Sequence, residues 1–160
     1  MLTVVQRVQR ASVTVLAEVV SAIDQGALLL VGVERGDSEA DADATAAKIQ
    51  ALRLFPGRTP MDLTLQQVSG GCLVVPQFTL AAELRHGNRP DFMAAEAPAR
   101  AEALWLRVAA QLQAHGLEVA RGRFGAHMQV ALVNDGPVTL LLTVRGGKVI
   151  ARTAPAPAGD

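Results

Sequence analysis

Asn134-Asp135-Gly136-Pro137-Val138-Thr139 stands between two apolar, β-type runs and interrupts them where a sheet should otherwise continue. Pro137 can donate no main-chain hydrogen bond and disfavours helical geometry at Gly136. Gly136 tolerates positive φ, so the pair can turn a carbonyl in a direction closed to a regular strand. The fold therefore has to carry an irregularity here. By local chemistry alone an ordinary turn serves as well as a projecting feature, since Asn-Asp-Gly-Pro suits turns in any protein.

A second run, Gly71-Cys72-Leu73-Val74-Val75-Pro76-Gln77-Phe78-Thr79-Leu80, passes from buried character to polar residues at its exit. Together the two blocks resemble the D-aminoacyl-tRNA deacylases, whose members carry a Ser-Gln-Phe-Thr block and an Asn-x-Gly-Pro-x-Thr block. The resemblance extends through Val4-Val5-Gln6-Arg7-Val8, Gly87-Asn88-Arg89-Pro90 and Gly122-Arg123-Phe124-Gly125-Ala126-His127-Met128, and so covers residues 1 to 145. One departure is plain. Pro76 stands where the family usually has serine.

At 160 residues the chain reads as one domain over residues 1–150, followed by an Ala/Pro tail over 151–160 that is too poor in apolar groups to pack. A hydrophobic fraction of 50% against 19% charged residues fits a soluble protein, and no apolar stretch approaches the roughly 20 residues a membrane helix needs. Met1 to Arg10 alternates like a strand and has no signal-peptide character, so the cytoplasm is the expected location. Cys72, the single cysteine, sits inside an apolar run and is expected to be buried and inert. His86, His115 and His127 show no metal-ligand spacing, so no metal and no cofactor are expected. A net charge of +0 and 3% aromatic residues argue against a long DNA- or RNA-gripping face, while leaving room for one terminal nucleotide. Arg7, Arg85, Arg89 and Arg123 are the arginines nearest the motifs.

Thr3–Val8 and Ser12–Leu16 read as two pairing strands, Glu18–Ile23 as a third, and Ala27–Val33, apolar on both faces, as a central strand. Ser38 is placed to cap a helix, with Asp41 reaching back and Ala42, Ala46, Ile49 and Leu52 at helical spacing. Pro98 suits the first turn of a second helix, with an Ala101, Leu104, Trp105, Val108, Leu112 stripe and Gly116 as its stop. Trp105 is assigned to the core. Leu117–Val119, 130–133 and 138–144 read as late strands.

The family resemblance implies an α/β fold of three layers, β/β/α, in a single domain with mixed sheets, and a homodimer with active sites at its interface. It implies hydrolysis of the ester between a D-amino acid and the terminal ribose of tRNA. Glycyl-tRNA is expected as a further substrate, with no membrane or DNA partner. Gln77, Phe78 and Thr79 become the catalytic candidates, with the Phe78 and Thr79 N–H groups as donors to the developing oxyanion. A Thr79 nucleophile would need a base that the sequence does not place beside it. By resemblance Gly136-Pro137 is a cis peptide that enters the partner's pocket as a chiral gate, braced by Arg7. Phe124, Gly125 and Met128 are candidates for holding the terminal adenosine. Two other readings remain open: a non-catalytic RNA-end or nucleotide-binding module, and a small-ester hydrolase acting through Thr79.

Overall fold

The amino-terminal strand of this computed structural model sets the architecture. Residues 1–150 are described; the segment 151–160, expected to be a loose tail, lies outside the described residues. Strand β1 (Leu2–Val15) buries Thr3, Val5 and Arg7, then Val8, then Ala11, Val13 and Val15. Its alternation holds on both sides of an irregularity at Gln9, which has no opposite number where Val8 faces Asn134 and Arg10 faces Val133. An extra residue flips the side chains that follow to the other face. Val5 accordingly joins one core cluster, whereas Ala11, Val13 and Val15 join the other. The two expected strands, 3–8 and 12–16, are thus one bulged strand and do not pair with each other.

β1 pairs antiparallel with β3 (Gly26–Gly32) through its first half and with β2 (Glu18–Ile23) through its second. β3 continues in parallel to β6 (Gly71–Pro76), and β6 to β7 (Val119–Arg121). β8 (Gln129–Arg145) runs antiparallel along β1 and ends against β9 (Lys148–Val149). The seven-stranded sheet is mixed, in the order β7-β6-β3-β1-β8-β9 with β2 on β1. β3 is central, as its two-sided apolar run requires. A separate small sheet of β4 (Arg53–Phe55) and β5 (Leu63–Thr64) was not expected from sequence.

Helices α1 (Glu39–Ala51) and α2 (Pro98–Ala114) cover one face. Ser38 donates its main-chain N–H to Asp41 Oδ2 at 2.8 Å, which closes the helix start as expected. Ala42, Ala46 and Ile49 of α1 meet Leu104, Val108 and Leu112 of α2 in the core that also takes Val5, Leu29 and Val74. On the opposite face Val8, Val13, Leu28, Leu73 and Val75 form the second core, under the second half of β1 and the first half of β8, which pairs with it. This gives three layers, β/β/α. Cys72 is fully buried, and burial pushes its thiol up to about 12. Among the described residues no helix is long and apolar enough to cross a membrane.

Two late strands differ from expectation. The 117–119 segment enters the sheet two residues later, as β7, because Leu117 closes α2 through its N–H to the Leu112 carbonyl. The runs 130–133 and 138–144 are one strand, β8, since β1 supplies a continuous partner along both.

Candidate active site

The first motif lies where β6 runs out. Pro76 costs no ladder bond to β7, whose pairing covers only Cys72 to Val74. Gln77 still donates its N–H to the Val31 carbonyl at 2.8 Å, after which Phe78–Ala81 form one 3-10 turn. Phe78 and Thr79 open that turn, so their N–H groups have no partner within it. The Gln77 side-chain amide donates to Thr79 Oγ1. An amide is no base at either end, so this partner cannot take up the hydroxyl's proton.

A cavity of about 490 Å3 opens beside this strand end. Val75, Pro76 and Phe78 form one wall, and Trp105, Phe124 and Met128 are among the rest. Trp105, only 3% exposed, serves both core and cavity, with its ring centroid 6.0 Å from that of Phe124. Gly122 supports the wall by close approach, since a Cβ there would lie 3.0 Å from Met128 Sδ and 3.3 Å from Pro76 Cδ. Phe78 is 58% exposed and meets Phe92 edge-on, with centroids 5.1 Å apart. Predominantly apolar walls with a few main-chain donors at the rim suit a ligand with one flat apolar part and one polar, reacting part.

The second motif forms a separate cluster. Between Gln6 opposite Thr139 and Val8 opposite Asn134, the four residues 135–138 face Arg7 alone, so β8 bulges outward there. Gly136-Pro137 is cis, and both residues are exposed. Arg7, 9% exposed, donates from Nε to the Asp135 carbonyl at 3.1 Å and from Nη1 to the Leu54 carbonyl at 2.6 Å. Its Nε also lies 3.1 Å from Asp135 Oδ2. Gly136 has φ +121°, and a Cβ would come within 2.8 Å of Arg7 Nη2 and 2.9 Å of Val138 Cγ2. No other residue fits that place without moving the clamp.

Both motifs fall inside the match to the family model described as D-Tyr-tRNA(Tyr) deacylase, which spans residues 4–143. The chain belongs to this family. A curated relative from Magnetococcus marinus, named D-aminoacyl-tRNA deacylase, is 50% identical over 144 residues, covering 89% of this chain and 95% of its own. The chain is also similar to a solved structure titled c-Myc DNA Unwinding Element Binding Protein, at TM-score 0.85 and 37% identity, over 91% of this chain and 100% of that one. A probable eukaryotic D-amino acid tRNA deacylase shares the fold at TM-score 0.72 and 15% identity, over 88% of this chain and 97% of that one.

Of the residues that the deacylase resemblance singled out, Gln77, Phe78, Phe124, Gly125 and Met128 line this same cavity. Thr79 neighbours it without lining it. Arg7, Gly136 and Pro137 gather in the second cluster and are not among the cavity's lining residues. Sequence reasoning missed Trp105 as a wall, because its helical stripe spacing signals core and nothing more. It also missed Pro98, Ala101 and Glu96, which reach the cavity from α2 and its approach, whereas His127, which the sequence reading allowed as a ligand contact, lines it from the 122–128 segment.

Proposed function

We propose that this chain hydrolyses D-aminoacyl-tRNA, and glycyl-tRNA with it, to free amino acid and tRNA, while sparing the L-esters. Family membership supports the activity class. The stereochemical part rests on one observation: Gly136-Pro137 is an exposed main-chain projection, clamped by Arg7 and absent from the walls of its own chain's cavity. A projection of that kind is suited to enter a second subunit's cavity, so the functional unit is a homodimer acting where translation runs, in the cytoplasm.

In this scheme Phe124, Gly125 and Met128 receive the terminal adenosine, and the ester carbonyl meets the Phe78 and Thr79 N–H groups. As water attacks, charge gathers on the carbonyl oxygen, and each aligned donor is worth about 3 kcal/mol in the transition state. The ribose 2′-OH beside the ester helps to activate the attack. Thr79 and Gln77 orient the turn. Apolar pockets distinguish small side-chain differences by only about 1–3 kcal/mol, whereas a fixed main-chain wall excludes an L-substituent outright. Glycine has no side chain to collide with it. The decisive experiment is deacylation of matched D- and L-tyrosyl-tRNA, with release of D-tyrosine and a largely intact L-ester expected; equal rates would overturn the gate.

A second reading, a non-catalytic RNA-end or nucleotide-binding module on the same scaffold, draws on Pro76 in place of serine and on the likeness to the c-Myc DNA Unwinding Element Binding Protein. Turnover separates the two, since a binder leaves the ester whole.

A further inference from the structure

Asn134 and Thr139 stand at the two ends of the bulge, at the last residue paired with β1 before it and the first paired after it. Their side chains close its neck. Asn134 Oδ1 accepts the Val138 N–H at 3.1 Å, and Asn134 Nδ2 donates to Thr139 Oγ1 at 2.8 Å. Thr139 Oγ1 also accepts from Gln6 Nε2 at 3.2 Å, which ties the neck to β1. Both ends of one amide are therefore used across the base of a segment whose tip, Gly136-Pro137, is exposed. Arg7 holds Asp135, on the entry side, whereas Asn134 reaches over to Val138 and Thr139, on the exit side.

We propose that Asn134, acting with Thr139, is a positioning residue that fixes how Gly136-Pro137 is aimed and so sets D-against-L discrimination. This rests on the gate reading above. A bulge held at one end only can pivot, and a wall that pivots admits what it should exclude. The amide is suited to the place because it offers an acceptor and a donor in one plane. Alanine offers neither. Aspartate keeps the acceptor toward Val138 N–H, and the Thr139 hydroxyl can rotate to donate to it.

The test compares kcat/KM on D- and L-tyrosyl-tRNA for the unsubstituted protein, Asn134→Ala, Asn134→Asp, Thr139→Val and Thr139→Ser, with Gly136→Ala as a direct lesion of the gate and thermal unfolding measured for each. Asn134→Ala and Thr139→Val are expected to lower the D/L ratio at least about 10-fold. Asn134→Asp and Thr139→Ser should bring it back toward the unsubstituted value, whatever their unfolding temperatures. Should Asn134→Ala fail to fold, Thr139→Val, at an exposed position, decides. An unchanged ratio in both, with the ratio lowered in Gly136→Ala, overturns the positioning role and leaves the gate standing. An unchanged ratio in a folded Gly136→Ala protein overturns the gate, and this role with it.

Discussion

The two motifs are built on opposite principles. At Pro76–Leu80 the chain leaves its sheet and turns with few ties: Phe78 is exposed, and the side-chain bond between Gln77 and Thr79 stays within the turn. At Asn134–Thr139 the chain is gripped from Arg7, Gln6 and Asn134, and Gly136 has no room for a single added carbon. The first region offers main-chain N–H groups, which nearly any residue supplies, and it carries proline where the family usually has serine. The second offers a shape, which few residues can adopt. A region that works through generic groups tolerates substitution, and one that works through form does not.

That contrast can be broken experimentally. The largest effect is expected from the substrate: a tRNA ending in 2′-deoxyadenosine, with the amino acid on the 3′ oxygen, should be cleaved about 100-fold more slowly or worse. Near-normal cleavage would return the chemistry to the protein's side chains. Next, Gly136→Ala should reduce the D/L ratio by about 10- to 100-fold, read from kcat/KM on the two esters. Arg7→Ala should cost about 2 kcal/mol of stability in denaturant unfolding, chiefly through the orphaned Leu54 carbonyl. Thr79→Ala keeps the main-chain donors and should lose less than about 10-fold in kcat. Complete loss in a folded Thr79→Ala protein, with a trapped acyl-threonine in the unsubstituted one, would make the first motif a side-chain site after all.

The smallest effect lies in the loop that follows the first motif. Hydrogen bonds from the Arg85 side chain and main chain hold the Glu83 carboxyl at about 2, below its ordinary 4.5. A depressed folded value means that this pairing contributes fully above about 4.5 and fades as pH falls toward about 2. The pair is exposed, so salt should weaken it. Carboxyl NMR titration should show the Glu83 midpoint rising in Arg85→Gln; an unmoved midpoint would deny the contact.

The sequence made the helices legible because their signals are local: Ser38 with Asp41, Pro98, and the Ala101–Leu112 stripe all sit within a few residues of what they control. The central place of β3 was legible from Leu28, Leu29 and Leu30 facing both ways. Residues 9–11 were misleading, because a short, mostly polar break between two β runs marks a connection as readily as a bulge, and only the partner strand decides between them. For the same reason 130–133 and 138–144 looked like two strands. In the site, the motif residues could be named from resemblance, but the closure of the bulge by Asn134 depends on side-chain distances that no spacing encodes. Trp105 stayed hidden as a cavity wall because one ring can face a core and a cavity at once.

That ring has an optical consequence. The chain has one tryptophan and no tyrosine, so its near-ultraviolet emission comes almost wholly from Trp105, a wall of the cavity tilted against Phe124. A ligand seated in the cavity would change the polarity and quenching around this single fluorophore. The protein therefore carries its own spectroscopic gauge of occupancy, free of background from elsewhere in the fold and available without a label.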